Sequence, residues 1–338
     1  MRLLAVAFAV FASGCGDDRV ETTGSTREAI INGATSPASQ DATVMLLTNG
    51  GFACTATLVA PNLVITARHC VASDLDETNP CGPVRADLPA SAFSVAMGGS
   101  ATSANAVGHG VKVFTESTTN LCGFDVALVQ LDKDIVGARV ARVRFDALAK
   151  GTDVTAVGYG STRTGEVEAP SRMQRSTKVV AVGPSSQQWT PASGDPIAFE
   201  VPAGDLATGE STCFGDSGGP LYDQNGDLVA VTSRGIDGEC SDRPSIFATL
   251  AAHETLIRDA AKGAGHELDT DATGSDPPAD ESDPGVDSEG TAHRATGQAR
   301  AAASTGCAAT PSPATSPSAL ALFLVLFGTI AVSFRRRS

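Results

Sequence analysis

Between residues 30 and 250 one local pattern recurs: a short run of β-branched and aliphatic residues, stopped by Gly, Pro, Asn, Asp or Ser. The runs stand at 43–47, 57–59, 63–66, 93–97, 107–114, 126–131, 153–157, 178–182, 197–201 and 228–232. No helical stretches lie between them, which points to an all-β sandwich or barrel. A helical period occurs once, over 250–262. There Leu250, Ile257 and Ala261, with Leu256 and Ala260, share a face, and Gly263 stops the helix. The 35 glycines and the 5% aromatic content suit strands joined by turns better than a helical bundle. No repeat of 20–50 residues is visible.

The two ends depart from this pattern. Met1 and Arg2 precede a ten-residue apolar run over 3–12, followed by Ser13, Gly14 and Cys15. Ten residues are too few to span a bilayer but fit the core of a signal peptide over 1–15. Two readings stay open: an ordinary signal peptide, or a lipoprotein-type one in which Cys15 is lipidated, with Ala12 where Leu is usual. Residues 16–29 then form a propeptide. At the far end, residues 319–338 combine sixteen apolar-rich residues with Arg335, Arg336 and Arg337. With Gly306 and Cys307 upstream, this is similar to the C-terminal sorting tails of myxobacterial surface proteins; a plain single-span anchor is the alternative. Between lies a spacer, 263–318, acidic first and then rich in Ser, Thr, Pro and Ala. Its stretch 267–289 carries nine acidic residues and no Lys or Arg. Such a segment cannot bury enough surface to offset its ordering entropy. The protein is therefore expected to be exported, to a bacterial cell surface or outer membrane or to the medium, with its terminal segments as its membrane contact.

The whole chain carries 24 Lys plus Arg against 38 Asp plus Glu, a net charge of −14. That balance argues against nucleic acid as a partner, since phosphates require a basic face. Of the 8 cysteines, Cys15 and Cys307 belong to the terminal patterns. Cys54, Cys70, Cys81, Cys122, Cys213 and Cys240 remain, and export permits disulfides among them. Spacing alone does not choose among their fifteen pairings. No Cys-x-x-Cys occurs, so neither a zinc knuckle nor a thioredoxin-type site is expected; no metal or cofactor is expected.

Three strings carry chemistry: LVITARHC over 63–70, GFDVALVQL over 123–131 and TCFGDSGGPL over 212–221. Acyl transfer to a serine needs a hydroxyl on a constrained turn, an imidazole to take its proton, a carboxylate to orient that imidazole, and donors facing the developing oxyanion. These strings contain one of each, in the order His69, Asp125, Ser217.

Over residues 30–262 the chain resembles the trypsin/chymotrypsin-type serine endopeptidases, which also supply the general template for this triad. The resemblance implies two antiparallel six-stranded β-barrels with a C-terminal helix. It makes His69 the general base, Asp125 its orienting carboxylate and Ser217 the nucleophile, with the N–H groups of Gly215 and Ser217 as the oxyanion hole. Ser233 matches the family's serine beside the buried Asp. The resemblance also pairs Cys54 with Cys70 and Cys213 with Cys240, leaving Cys81 to Cys122. Ile30, Ile31, Asn32 and Gly33 match the family's mature N-terminus, whose freed ammonium would pair with Asp216. Ala29 stands before Ile30 where Lys or Arg is usual, so the expected activating protease accepts small residues.

In the substrate-binding set Ser211, Ser233, Gly235 and Ser245, the pocket floor is Ser211 where a trypsin-like enzyme has Asp. Ser245 replaces a usual Gly, and Gly235 leaves a wall open. A preference for Lys or Arg is disfavoured, and an apolar P1 residue is expected. Arg234 replaces the family's usual aromatic and is expected either to meet acidic groups at secondary subsites or to lie in solvent. The substrates are proteins or peptides, and a monomer is expected.

Rival readings remain. A catalytically inactive binding or adhesion module would share the fold. The Gly215–Gly219 turn also fits an α/β-hydrolase esterase, for which His253 or His266 would follow the serine. In the main reading His253 is an ordinary residue of the last helix, His266 and His293 lie in the spacer, and His109 is structural. Asp74, Asp76 and Glu77 form a solvated loop rather than a calcium site.

Overall fold

A computed structural model describes residues 30–270, apart from residues 32, 76–78, 80, 103–104, 162–170 and 193. The expected signal, propeptide and tail segments, with Cys15, His293 and Cys307, lie outside the described residues, as do Asn32, Asp76 and Glu77. The strands are β1 (Ala34–Thr35), β2 (Thr43–Thr48), β3 (Gly51–Ala60), β4 (Leu63–Thr66), β5 (Phe93–Ala96), β6 (Ala106–Thr115), β7 (Ala127–Leu131) and β8 (Asp153–Gly158). They continue as β9 (Met173–Val182), β10 (Ser185–Trp189), β11 (Ile197–Val201), β12 (Asp205–Thr208), β13 (Pro220–Tyr222), β14 (Leu228–Gly235) and β15 (Ser245–Thr249).

Six of them close into a first barrel in the order β2-β3-β4-β7-β6-β5. A second closes as β8-β9-β12-β15-β14-β13, with β1 added to the edge of β9 and a separate β10-β11 hairpin. Every strand pair is antiparallel. This removes the esterase alternative: an α/β-hydrolase needs parallel strands with helical crossovers. The double barrel is the fold expected from the resemblance.

Alternation explains the closure. Val44, Leu46, Ala56, Leu58, Val64, Phe93, Val95, Val129 and Leu131 fill the first barrel, while Val154, Ala156, Val179, Leu206, Leu221, Val229 and Phe247 fill the second. A third apolar cluster joins Leu63, Ile65 and Leu128 to Val157, Tyr222, Leu228 and Val231. It binds the barrels face to face. Ile257, Ala260 and Ala261 of the α-helix α1 (Glu254–Gly263) dock onto this cluster. The expected helix begins four residues earlier, but Leu250–His253 is a 3₁₀ turn.

Beyond residue 262 the chain stays on the surface of the domain. Asn62 donates to the Ala264 carbonyl (3.3 Å), Val143 N–H to the Asp269 carbonyl (2.8 Å), and His266 reaches Asp134 (3.1 Å). Among the described residues, no helix is long and apolar enough to cross a membrane.

Candidate active site

The pairing of β4 with β7 brings two distant side chains together. Thr66 faces Ala127 across the ladder, so the chain leaving β4 and the chain entering β7 emerge side by side. His69 sits on the 3₁₀ turn Arg68–Cys70, and Asp125 lies just before β7. The His69 main-chain N–H donates to Asp125 Oδ1 (2.9 Å), and Nδ1 lies 2.8 Å from Oδ2. Ser233 Oγ donates to Oδ2 as well (2.6 Å).

Burial raises the proton affinity of Asp125, but the His69 charge and these hydrogen bonds outweigh it and hold the carboxyl below its ordinary range. For His69, burial pulls the imidazole down, the Asp125 charge and hydrogen bond pull it up further, and Arg234 pulls it partly back. The balance is a pKa above the ordinary histidine value. The Cys54–Cys70 disulfide ties β3 to this turn. Both sulfurs are in that bond, so the cluster Cys54, His69 and Cys70 offers no thiolate pair to a metal.

Ser217 arrives from the second barrel, in the turn before β13. Its carbonyl accepts from the Thr55 N–H (2.9 Å) and lies 3.7 Å from Cys70 Sγ, which is itself 3.7 Å from His69 Nε2. The serine turn and the imidazole edge thus both lie against the Cys70 sulfur. Ser217 Oγ makes no hydrogen bond among the described residues; catalytic hydrogen bonds are often long before substrate binds. The turn is tight enough to require glycine. Gly218 has φ 76°, and a Cβ there would strike Thr66 Oγ1. Gly215 has φ 95°, and its carbonyl accepts from Thr55 Oγ1 (2.9 Å).

Asp216 is fully buried and takes N–H bonds from Cys213 (2.9 Å) and Gly160 (2.8 Å). Burial pushes its pKa up to about 7, against the pull of these two N–H donors, and no cation among the described residues offsets it. Ile30 is also fully buried, against Met173, and Ile31 packs on the Cys213–Cys240 disulfide. The third disulfide joins Cys81 to Cys122.

The substrate-binding residues converge through register. Ser245 faces Thr208 on one side and Gly235 on the other. Its Oγ accepts from Thr212 N–H (3.1 Å), while buried Ser211 hydrogen-bonds Thr208 Oγ1 (3.0 Å). Phe214 stands half exposed beside Gly215.

Arg234 matches neither expectation for it. Its Nη2 donates to Asp205 Oδ2 at 2.7 Å, and only 14% of its side chain is exposed. His253 is buried, with Nδ1 2.7 Å from Glu116. Asp74 pairs with Arg85 (3.3 Å) on an exposed loop.

Several site residues escape sequence reasoning: Thr55, Asp205, Gly158 and Gly160. A Cβ at Gly158 would run into Asp216 Oδ1, and one at Gly160 would lie 2.6 Å from the Phe214 carbonyl. The glycines flanking Tyr159, directly after a strand, were the available signal.

Two closed antiparallel barrels, with the histidine–aspartate pair on one and the serine turn on the other, are the architecture of the chymotrypsin-like serine endopeptidases, which are hydrolases. Sequence comparison narrows this. The Trypsin family model matches residues 30–257, and the chain belongs to that family. A trypsin of Saccharopolyspora erythraea is 30% identical over 222 residues, covering 64% of this chain and 90% of the relative. A trypsin of Sus scrofa is 25% identical over 234 residues, covering 68% and 94%. Among solved structures, mouse neuropsin, a serine protease expressed in the limbic system, aligns with a TM-score of 0.53 at 19% identity. The alignment covers 68% of this chain and 99% of neuropsin. The structure titled HBP aligns at 0.52 and 17% identity, covering 69% and 96%. At these identities the structural likeness speaks for the fold alone.

Proposed function

We propose that this protein is an exported serine endopeptidase that cleaves peptide bonds through an acyl-enzyme. His69 takes the proton of Ser217 Oγ as the hydroxyl attacks the carbonyl. Asp125 keeps the imidazole in the tautomer that accepts at Nε2, because its Oδ2 already engages Nδ1. The N–H groups of Gly215 and Ser217 receive the oxyanion. The observation that carries this reading is the double grip of Asp125 on His69, reinforced by Ser233 at 2.6 Å.

The zymogen reading rests on the second barrel. In the intact chain the Ile30 nitrogen is an amide, and Asp216 is buried without a cation among the described residues. Ile30 is held at φ 63°, a left-handed conformation costing a β-branched residue about 1–2 kcal/mol. Cleavage after Ala29 removes the carbonyl that defines this angle, and it frees an ammonium in a region already packed near Cys213. An α-amine has a pKa of about 8 and is mostly charged at neutral pH. The activator accepts small residues, and the cut separates the domain from Cys15.

The pocket is uncharged on this reading. Ser211 and Ser245 supply no carboxylate, Asp205 is neutralised by Arg234, and Glu210 is paired with Arg175 at 2.7 Å. It favours apolar P1 residues and disfavours Lys and Arg. Residues 1–15 direct export, and 263–338 serve as spacer and sorting tail or anchor.

Fluorophosphonate labelling of protein beginning at Ile30 tests the enzyme reading. Reaction at Ser217, lost in His69→Ala, supports it. Absence of labelling after confirmed processing favours the inactive binding module.

A further inference from the structure

The contacts around Asp125 continue inward beyond Ser233. Arg234 Nη1 lies 3.1 Å from Ser233 Oγ. A guanidinium only donates, so Ser233 Oγ must accept from it, and the serine's own proton is committed to Asp125 Oδ2 at 2.6 Å. Arg234 Nη2 donates to Asp205 Oδ2 at 2.7 Å. Asp205 accepts the Gly123 N–H at 3.2 Å on both carboxylate oxygens, two residues before Asp125. A closed path results, reaching Asp125 through a hydroxyl on one side and through its own backbone on the other. Asp205 comes from β12, Arg234 and Ser233 from β14, and Gly123 from the loop leading to β7.

We propose that Arg234 and Asp205 are positioning residues for the triad: a buried ionic brace that fixes the Ser233 hydroxyl on Asp125 and keeps a positive charge behind the His69–Asp125 pair. It occupies the position where the resembling family usually carries an aromatic side chain. The brace deepens the endopeptidase reading and rests on it for its catalytic consequence, though not for its effect on His69.

Among the described residues, few charged groups face this pair. Asp125 and Arg234 act on His69 from opposite directions, while the Asp205 carboxylate interacts with Arg234 and Asp125 rather than with the ring. The Cys54–Cys70 disulfide against the ring is neutral. Arg68 turns away to the Glu116 and Thr118 carbonyls and to Asp87, and Glu116 is engaged by His253 beside Phe124.

The test compares the full chain with Arg234→Met, Arg234→Lys and the double variant Arg234→Met with Asp205→Asn. Arg234→Met strands a buried carboxylate and is expected to fold poorly, whereas the double variant removes both charges and is the decisive protein. The first readout is the NMR titration of the His69 ring, which needs no turnover. In the double variant its midpoint moves to higher pH. In Arg234→Lys the charge persists and the midpoint stays near that of the parent.

The second readout is steady-state kinetics on processed protein. In the double variant kcat falls about tenfold with KM little changed, as for loss of one charge-assisted hydrogen bond. A His69 midpoint in the double variant that matches the parent, or lies below it, overturns the brace. Failure of Ser217 to take a fluorophosphonate overturns the enzyme reading instead and leaves the titration result standing on its own.

Discussion

The two barrels wind identically and end up in different electrostatic states. Numbered within each barrel, both follow the strand order 1-2-3-6-5-4 around the closure. The first barrel finishes its share of the site on folding. His69 and Asp125 satisfy each other, and the Cys54–Cys70 disulfide clamps the histidine turn. The second barrel buries Asp216 behind two N–H donors, with no cation among the described residues to answer it. One winding can thus carry a completed half-site or a pending one, and the difference lies in loops rather than strands. On the reading proposed above, control of activity belongs entirely to the second barrel.

The comparison is broken most directly by removing one partner from each barrel. Ser217→Ala should lower kcat/KM by ~10⁴-fold or more, and Asp125→Asn by about 10⁴-fold, because an amide stabilises the wrong imidazole tautomer. The double variant should lose little more than the worse single one, since the groups act as a unit. Losses that multiply instead would mean that the two barrels contribute independently, against the proposed mechanism.

Asp216→Asn sharpens the contrast, since its effect should change sign with processing. In the intact chain the folded pKa of Asp216 is raised from 3.8 to about 7. Between those values the folded state binds more protons than the unfolded one, so stability falls as pH rises, and above about pH 7 the loss is complete. Asparagine escapes that loss. The intact variant should therefore be more stable than its parent at pH 8 by a few kcal/mol, with the advantage shrinking toward pH 4. In protein beginning at Ile30 the same substitution strands an ammonium and should cost ~3–5 kcal/mol, along with most of the activity. Urea melts of both forms at pH 8 decide it, and an equal sign in the two forms would remove the zymogen reading.

The first barrel has its own pH signature. His69 is raised, so its contribution to stability is present below the unfolded histidine pKa and is lost as pH rises through the folded value. Asp125 is lowered, so its contribution is present above the unfolded carboxylate pKa and fades as pH falls through the folded one. The pair is strongest between those limits. Catalysis needs neutral His69, so the acid limb of kcat/KM should lie above the ordinary histidine value of about 6.5. A limb below that value would mean that Asp125 does not govern the imidazole in solution.

How much of this the sequence disclosed differs by type of interaction. Each of the ten β-prone runs falls on an observed strand, because alternating aliphatic residues reflect burial directly. β10 was missed because it reads Ser-Ser-Gln-Gln-Trp, and β13 because it opens on Pro220. β12 was missed because it begins with Asp205, whose burial is bought by a partner 29 residues away. His69, Asp125 and Ser217 were legible because each sits in a short string of constrained chemistry. Arg234 was misread for the opposite reason. Its partner is set by register, with Arg234 on β14 and Ala207 on β12 both facing Ile246 of β15, two residues from Asp205, and no local pattern encodes that.

The smallest expected effect tests the seam between the barrels. Thr55 belongs to β3 of the first barrel, yet its hydroxyl donates to the Gly215 carbonyl (2.9 Å) and accepts from Tyr159 N–H (3.2 Å), both in the second. Its main-chain N–H holds the Ser217 carbonyl, and its own carbonyl accepts from Thr66 Oγ1 (2.9 Å). The residue is completely buried, so Thr55→Val leaves two polar groups unsatisfied without changing shape, at a cost of about 1–3 kcal/mol. Thr55→Ser keeps the hydroxyl and should recover most of that loss. Since Gly215 is the proposed oxyanion donor, kcat should fall in Thr55→Val while KM changes little, and Thr55→Ser should restore kcat. A Thr55→Val protein that loses stability but keeps kcat would make the seam purely structural, and the serine turn would then owe its shape to the second barrel alone.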